Sequence, residues 1–463
     1  MIERALELAR KRAQAAEVTL TRRRSTAAEY EDDRLKHVSV AETSDLRVRV
    51  IVDGKLGSAQ TTDPQDAEGA VARAVELAEF GAEVNFEFPG PGAAPAVRIH
   101  DAEVEKTTKD DLVAAGAEML ELIKAYNPEI KVSGDAGWSV GEWRLVNSSG
   151  LDVSERGSSF SLGAAGVLVR GTDVLFAGHG RGWRRKEFAP REIAERAIEK
   201  FRLAERTAKV ESGTMPIILT PPGNYLLLSC LLPGVNGKNA LKKDSPLAGR
   251  LGERLAPHIF SLADDGTVDY APASSAYDGE GVPRRRTEII SQGVLGSFLY
   301  DLETAGKAAL RPFDPLRVAP SNVEGRQAQD RPRGRAGRPE PSRGAGTAST
   351  GNGPGCGPSN IIIAPGEATL AEMVKGTREG LLVDGLMGLG QSNIMNGDFS
   401  VNVSLGYQIE HGELVGRVKD TMLAGNVYDA LKRIEAIGSE AEWTAFFCAP
   451  PIKIGALSVV AKG

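Results

Sequence analysis

The sequence has few cysteines and few histidines, which narrows the metal sites and cross-links that it can form. Its 463 residues include three cysteines and five histidines. An odd number of cysteines, far apart in the chain, argues against a disulfide framework and against a CxxC metal site. The two histidines closest in sequence, His37 and His100, are 63 residues apart, so no helix can present a histidine pair at i and i+4. A local HExxH zinc motif is therefore absent.

Long apolar runs are also missing. No uninterrupted apolar stretch approaches the roughly 18 residues that a membrane-spanning helix needs. The first residues, MIERALELARKR, carry charges within their apolar pattern and do not resemble a signal peptide. Aromatic residues make up 5% of the chain, the net charge is −6, and no basic pattern is interleaved with aromatics, so a nucleic-acid partner is not expected. We expect a cytoplasmic protein that has no membrane partner.

The sequence does contain a succession of α/β units followed by strands. Residues 1–97 combine amphipathic helices with alternating strand patterns, and a hairpin turn is predicted at Asp53–Gly54. Residues 98–212 form a second α/β unit of the same kind. Residues 213–463 consist mostly of strands bounded by glycine. These patterns predict two α/β domains, 1–97 and 98–212, and a mainly β C-terminal domain, 213–463.

One segment does not fit this plan. Between about residues 311 and 348 the sequence is dense in proline, glycine and arginine and has almost no large apolar side chains. Such a segment cannot bury enough surface to offset the entropy of ordering it, so a flexible insertion is predicted. Its arginines could contact an anionic partner, although a solvated loop is the simpler interpretation.

Charged residues flank a Gly/Pro turn in AYDGEGVPRRR (276–286). Asp278 and Glu280 precede the turn, and Arg284 and Arg285 follow it. These side chains either pair with one another across the turn or line a cleft that holds a substrate. The sequence leaves both interpretations open.

Two other features have structural interpretations. Asp264–Asp265–Gly266 is predicted to form a hairpin turn, because neighbouring carboxylates on an extended chain point to opposite faces and do not share a metal. The apolar stretch YLLLSCLLPGV (225–235) is predicted to form a helix after the strand MPIILT (215–220). On that helix, Cys230 is interpreted as a small buried hydrophobe and not as a nucleophile.

An ordered set of segments, from about residue 45 to the C-terminus, carries a family resemblance. The segments are VNSSGLDV (146–153), SPLAGRLGERLAPHIFSLADDGT (245–267), SAYDGEGVPRRRTEIISQGVLGSFLYDLETAG (275–306), STGNG (349–353), PSNIIIAPG (358–366), GLLVDGLMGLGQSNIMNGDFS (380–400), GYQIEHGE (406–413) and LAGNVYDAL (423–431). In this order they resemble the TldD/PmbA (TldE) proteins, once called modulators of DNA gyrase.

The resemblance implies an α+β fold: N-terminal and central α/β parts, then a C-terminal domain of mainly twisted antiparallel β-sheet. It also implies a cytoplasmic heterodimeric metalloprotease that cleaves unfolded or short peptides, including peptide precursors. In this family the TldD-type subunit carries HExxxH on a helix. Its two histidines and a distant cysteine hold zinc, and its glutamate activates water.

This chain departs from that pattern at the expected metal helix. Counting back from Ser245 without gaps, the motif would fall near Leu228, Ser229 and Pro233. Leucine and proline offer no ligand, serine is a poor general base, and Pro233 is expected to end the helix. Cys448 lies too close to the terminal APPI segment for the family's cysteine ligand to be assigned to it.

The resemblance therefore implies a PmbA/TldE-like subunit that has lost the zinc site, with no catalytic residue, metal or cofactor of its own. Zinc is expected in a TldD-type partner, with which this chain would form a heterodimer, and a homodimer is the alternative when the partner is absent. An unfolded peptide substrate would be held by addition to a sheet edge.

Two other functions stay open from the sequence. The chain could be a hydrolase in its own right, using a constellation assembled in space from His258, Asp278, Glu280 or Cys230. It could also be a regulatory binding module without proteolysis, acting through the arginine-rich insertion.

Overall fold

The computed structural model describes residues 1–308, 342–343 and 355–461. The insertion predicted at about residues 311–348 lies outside these ranges apart from two residues, so its flexibility stays a prediction. The described residues form ten α-helices. They are α1 (Ile2–Arg10), α2 (Ala67–Ala78), α3 (Ala102–Glu105), α4 (Lys109–Tyr126), α5 (Pro190–Leu203), α6 (Tyr225–Val235), α7 (Gly237–Lys242), α8 (Leu302–Lys307), α9 (Leu370–Lys375) and α10 (Val427–Lys432). Among the described helices, none is both long and apolar enough to cross a membrane.

Six antiparallel strands from the first part of the chain form one sheet. They are β1 (Ala15–Glu31), β2 (Arg34–Val52), β3 (Lys55–Thr61), β4 (Lys131–Asn147), β5 (Asp152–Arg170) and β6 (Asp173–Trp183), in the spatial order β3-β2-β1-β4-β5-β6. The predicted turn between β2 and β3 is confirmed, since Asp53 and Gly54 have φ values of 48° and 74°. The predicted boundary between residues 97 and 98 falls between strands of this sheet, and the division into domains stays a prediction.

One face of the six-stranded sheet is covered by helices. In β1, Ala16 and Val18 pack with α1 and α2, while Ala28 and Tyr30 pack with α4 and α5. Side chains alternate between the two faces along a strand, so the odd-numbered residues of β1 lie on the opposite face. We call this opposite face the outer face. Part of it is covered by a segment of the C-terminal part of the chain, described below.

The remaining strands build the C-terminal part. They are β7 (Thr207–Ala208), β8 (Gly213–Leu219), β9 (Leu262–Asp265), β10 (Arg286–Ser291), β11 (Val294–Leu295), β12 (Leu299–Tyr300), β13 (Ser342–Arg343), β14 (Ile361–Ile363), β15 (Glu379–Met387), β16 (Asp398–Glu410), β17 (Glu413–Val418), β18 (Thr421–Asn426), β19 (Ile434–Ile437), β20 (Glu442–Thr444), β21 (Phe447–Ala449) and β22 (Ile452–Ala461).

These strands form two larger sheets. One follows the order β15-β8-β22-β18-β16-β17-β7, with β19 paired to β22. Because β15 also pairs with β16, the strands β15, β8, β22, β18 and β16 close on themselves. The other sheet follows the order β11-β10-β9-β14-β21-β20. Most of the pairings are antiparallel, and the expected α+β fold with a β-rich C-terminal part is confirmed.

The hairpin turn predicted at Asp264–Asp265–Gly266 is wrong. Asp264 and Asp265 lie in β9, which is paired on both sides, by β10 and by β14. Both carboxylates are buried, and the backbone N–H and the hydroxyl of Ser359 donate to Asp264 Oδ1 at 2.6 and 2.8 Å. Hydrogen bonds from Ser359, which is distant in sequence, therefore stabilise the buried carboxylate of Asp264, although the local sequence predicts a turn there.

Candidate functional site

Helix α6 occupies the interior of the C-terminal part. Strand β8 leads through a short 3-10 turn, Pro222–Asn224, into this helix. The helix predicted over residues 225–235 is confirmed. Leu226, Leu227 and Leu231 are fully buried in the large C-terminal core. Apolar packing holds the helix in place.

The three positions expected to correspond to the metal motif offer no metal ligand. Leu228 is 1% exposed and belongs to the apolar core. The Ser229 hydroxyl is only half-buried, yet it donates to the Leu226 carbonyl of its own helix at 2.9 Å. Pro233 carries no side-chain donor or acceptor. These three side chains therefore provide neither a zinc ligand nor a general base.

Pro233 does not end the helix, as the sequence had suggested, because α6 continues to Val235. The proline removes one backbone N–H from the helix interior. At the end of the helix, the Asn239 side-chain amide donates to the Pro233 carbonyl at 2.9 Å. The Tyr428 hydroxyl lies 3.5 Å from the Cys230 carbonyl, one turn earlier.

A cluster of charged side chains lies where residues 266–285 cross the outer face of the six-stranded sheet. We call these residues the docking segment. Arg49 of β2 donates to Glu17 of β1 at 3.0 Å and to Glu280 of the docking segment at 3.1 Å. The other oxygen of Glu280 accepts the backbone N–H of Leu302 at 2.7 Å. Since all three charged side chains are buried, this network joins the C-terminal part to the sheet.

Asp278 shapes the turn of the docking segment. Its Oδ1 accepts the backbone N–H groups of Glu280 and Val282 at 2.9 and 3.0 Å. Its Oδ2 is buried and has no hydrogen-bond partner in the described structure. Burial, and then the charge of Glu280, raise the pKa of Asp278 to about 8, against the opposing effect of Arg284. Burial likewise raises the pKa of Glu17 to about 7.

Arg284 lies deeper in the protein than Arg285. Its side chain is buried, and Nε donates to the Ser275 hydroxyl at 2.6 Å, within the docking segment. Its charge also opposes the rise in the pKa of Asp264, which burial brings to about 6. Arg285 is half-buried.

Further contacts fix the docking segment to the sheet. Glu155 of β5 accepts the backbone N–H of Ala276 at 2.6 Å. Arg184, next to the end of β6, donates to the Ala271 carbonyl at 2.9 Å. Charged side chains of β2 and β5 and of the residue after β6 thus hold the segment directly, and Glu17 of β1 supports Arg49.

An open groove lies on the outer face beyond the docking segment. Glu29, Asp135, Gly163 and Gly180 form one row across β1, β4, β5 and β6 and line a cavity of about 660 Å³. A neighbouring cavity of about 300 Å³ shares part of this lining and extends to Asp384 in the C-terminal part. Glycines in the row leave the sheet backbone accessible along the groove.

Three family models cover this architecture in chain order. The PmbA/TldA metallopeptidase domain 1 matches residues 16–78, the central domain matches residues 102–204, and the C-terminal domain matches residues 212–461. The last model alone covers more than half of the chain. The chain belongs to the PmbA/TldD metallopeptidase family.

Relatives in the PmbA/TldD family match the chain over nearly its full length. A metalloprotease of Methanothermobacter thermautotrophicus is 25% identical, with 94% of this chain and 90% of the relative covered. The metalloprotease PmbA homolog of Haemophilus influenzae is 24% identical, with 95% and 90% covered. The crystal structure of TldE from Thermococcus kodakarensis superimposes with a TM-score of 0.85 at 25% identity, with 99% of each chain covered.

The side chains of α6 do not fit the zinc that a PmbA/TldD metallopeptidase implies. Leu228 and Pro233 have no donor atoms, and the Ser229 hydroxyl is directed to its own backbone. Burial raises the pKa of the Cys230 thiol, which disfavours the thiolate that zinc requires. Across residues 1–308 and 355–461, no group of three or more His, Cys, Asp or Glu side chains is placed to bind a metal ion. We derive no metal-dependent step from this chain.

Three of the charged turn residues predicted from the sequence lie close together, and they are buried in the protein interior. Asp278 and Glu280 are 2% exposed and Arg284 is 7% exposed, so the docking segment would have to move before a substrate reached them. Asp278 accepts hydrogen bonds within the turn, while Glu280 is bonded to Arg49 in the first sheet. A substrate role for Asp278, Glu280, Arg284 and Arg285 stays a prediction.

The residues of the alternative hydrolase are in different environments. His258 is exposed, Cys230 is fully buried in the C-terminal core, and Asp278 and Glu280 belong to the docking segment. In the part of the chain that the structure describes, no side-chain to side-chain hydrogen bond joins any two of them. Glu17 and Arg49 were not predicted from the sequence. Each is a charged residue between two apolar neighbours, Glu17 in AEV and Arg49 in VRV, and this pattern could have indicated a buried charge.

Proposed function

We propose that the chain is the non-catalytic subunit of a heterodimeric TldD/TldE-type metalloprotease that cleaves unfolded or short peptides, including peptide precursors. In this assembly the zinc and the reacting water belong to a TldD-type partner, and this chain contributes no cofactor. Three cysteines without disulfide bonds support a cytoplasmic location.

The observation that carries the proposal is the chemistry of α6. The helix keeps the apolar packing of a core element, while Leu228, Ser229 and Pro233 provide neither a ligand nor a general base. A helix that packs in the core but has no metal-ligand atoms at these positions supports a subunit that leaves catalysis to its partner chain. The name of the Thermococcus kodakarensis structure, TldE, agrees with this assignment.

The open groove on the outer face supports a role in holding peptide. It joins the six-stranded sheet to the C-terminal part, and its glycine-rich floor lets an extended chain approach the sheet backbone. Strand β6 is the sheet edge nearest the groove. Such an edge binds extended peptides by adding a strand, with main-chain hydrogen bonds that tolerate many sequences.

The test is to compare this chain alone with the same chain mixed with a TldD-type partner. Zinc is measured by elemental analysis, and cleavage is measured on an unfolded peptide. We expect no stoichiometric zinc and no cleavage for the lone chain, and both for the mixture. Stoichiometric zinc together with full activity in the lone chain would overturn the proposal.

Two matched variants test which of the two chains carries the catalytic residues. Replacing the glutamate of the partner's HExxxH motif with glutamine should abolish cleavage by the mixture. Ser229→Ala in this chain should leave cleavage unchanged, because the serine hydroxyl bonds only within α6 and to Cys230. The opposite pattern, with activity lost only in the serine variant, contradicts the assignment.

A third variant tests the groove. A Cβ atom at Gly180 would meet only Gly163 Cα at 3.4 Å and Leu162 O at 3.5 Å, so the fold accepts a side chain there. Gly180→Phe would project into the groove. We expect an increase in KM for peptide with little change in kcat, and an unchanged KM rejects the groove as the peptide site.

A further inference from the structure

Two rows of side chains cross the floor of the groove on the outer face, one at each end. The first row is Glu29, Asp135, Gly163 and Gly180, and the second row is Lys131, Val167 and Phe176. Along β6 the two rows are four residues apart, which is about 13 Å in an extended strand. Residues four apart in an extended peptide point to the same face, so a peptide that lies along β6 can reach both rows.

Asp135 is the charged residue of the first row that has no partner. It is open to the groove, and none of the described residues donates a hydrogen bond to its carboxylate or forms an ion pair with it. Glu29, in contrast, lies 3.3 Å from His37 and 3.6 Å from Lys36. Partial burial within the groove, and then the charge of Glu29, raise the pKa of Asp135. The surroundings of this carboxylate therefore favour a cation brought by a ligand.

The two glycines of the first row leave a path from β6 to Asp135. A Cβ atom at Gly163 would lie 2.8 Å from Asp135 Oδ1, so the carboxylate lies over β5 and not over its own strand. A Cβ atom at Gly180 would meet no atom closer than 3.4 Å, so the surface over β6 is open. From a peptide beside β6, the last strand of this sheet, the carboxylate is about two strand spacings away, roughly 9–10 Å. The side chains of lysine and arginine suit this distance, because their long apolar stems lie along a surface and extend the charged end.

The second row offers an apolar surface. Phe176 is 55% exposed, Val167 is half-buried, and both line the cavity of about 300 Å³. The charged residues that line this cavity, Lys131 and Asp384, each pair with a residue of opposite charge outside it, at 2.9 and 2.7 Å. Because these charges are already compensated, the exposed phenylalanine and its valine neighbour favour a large apolar side chain of a ligand.

We propose that the groove selects extended peptides in which a lysine or arginine and a large apolar residue are four positions apart. Asp135 binds the cationic side chain, and Phe176 contacts the apolar one, so these two residues determine specificity. The unpaired carboxylate supplies the charge complementarity, and the separation of the two rows supplies the spacing. The inference rests on the proposed function, since it takes the groove as the peptide site, and it adds which peptides bind there.

Fluorescence anisotropy with labelled peptides tests this selection on the full chain. The reference peptide carries lysine and leucine four positions apart in a neutral polar sequence. It is made in both orders, because parallel and antiparallel peptides present the two residues to the rows in opposite order. One control moves the residues to a spacing of three, which places them on opposite faces, and another replaces lysine with glutamine. We expect the reference, in its better order, to bind about fivefold more tightly than either control, and equal binding overturns the proposal.

Variants of the chain test the two residues separately. Asp135→Asn should weaken binding of the lysine peptide about fivefold and leave the glutamine peptide unchanged. Asp45→Asn is the matched control, because Asp45 lies on the same face of the sheet but lines neither cavity, and it should change neither peptide. Phe176→Ser should weaken the leucine peptide and not one with serine in place of leucine. A lysine peptide that is insensitive to Asp135→Asn, or equally sensitive to Asp45→Asn, overturns the proposal.

Cleavage is measured separately, on the mixture of this chain with a TldD-type partner, so that the two proposals can fail independently. Selective binding without cleavage rejects the proteolytic function and supports the specificity. Cleavage of all the peptides with equal KM and equal binding rejects the specificity alone. Absence of binding by every peptide, to the lone chain and to the mixture, overturns the groove as a peptide site and the specificity with it.

Discussion

Replacing Arg49 with methionine removes the guanidinium that donates to both Glu17 and Glu280 while retaining a long side chain against Phe86 and Phe88. Breaking a buried ion pair from one side costs about 3–5 kcal/mol, because a charge is left in the interior. Glu17 can limit this loss by taking up a proton, since its pKa is already about 7. We therefore expect the variant to lose about 3–5 kcal/mol at pH 8 and clearly less at pH 6.

The free energy of unfolding is measured by urea denaturation at the two pH values, and hydrogen exchange is followed in the docking segment. Arg144→Met is the control, because Arg144 pairs with Asp152 and Glu3 at the surface and its loss should cost about 1 kcal/mol or less. A loss for Arg49→Met no greater than that of the control at pH 8 would refute the reasoning. Equal losses at pH 6 and pH 8 would refute the protonation of Glu17.

Four further predictions concern polar side chains, of which Asp152 is exposed and the others are buried. Asp278→Asn should gain stability relative to the parent protein as pH rises from about 4 to about 8, because the folded parent keeps a proton that the unfolded chain releases. Asp152→Asn should lose stability relative to the parent as pH rises through the acid range up to about 4, because hydrogen bonds from Arg144 lower the pKa of Asp152 in the folded parent. Urea denaturation across pH measures both variants. Cys230 should resist alkylation until the protein unfolds, as followed by mass spectrometry, because it is fully buried and its pKa is raised. Asn360→Ala should lower the free energy of unfolding by more than about 3 kcal/mol, because its side chain makes three buried or half-buried hydrogen bonds.

Local signals predicted elements that depend on neighbours in sequence. The turn at Asp53–Gly54 was predictable because only a few residue types accept positive φ at both turn positions. The helix at 225–235 was predictable from its apolar run. The lack of metal ligands at Leu228 and Pro233 required only the chemistry of the side chains. These inferences need no knowledge of distant contacts.

Long-range contacts explain what the sequence did not reveal. Arg49 and Glu280 are 231 residues apart, and nothing near either residue indicates the other. The charged turn at 276–286 therefore left two interpretations open, and neither of them indicated Arg49 as the partner of Glu280. Asp264 was placed in a turn because its partner, Ser359, lies 95 residues away. Both Glu280 and Asp264 are buried by strands or loops that are distant in sequence, and the local sequence pattern does not specify such contacts.

The closed ring of strands in the C-terminal part has a consequence for how the chain is made. Strand β22 pairs with β8 and β18 inside that ring, yet β8 is synthesised more than 230 residues earlier. The six-stranded sheet can form while translation continues, but the ring cannot close until residues 452–461 have left the ribosome. Until then the leucines of α6 lack part of their covering, and a chain stalled before β22 should be a preferred target of chaperones and proteases.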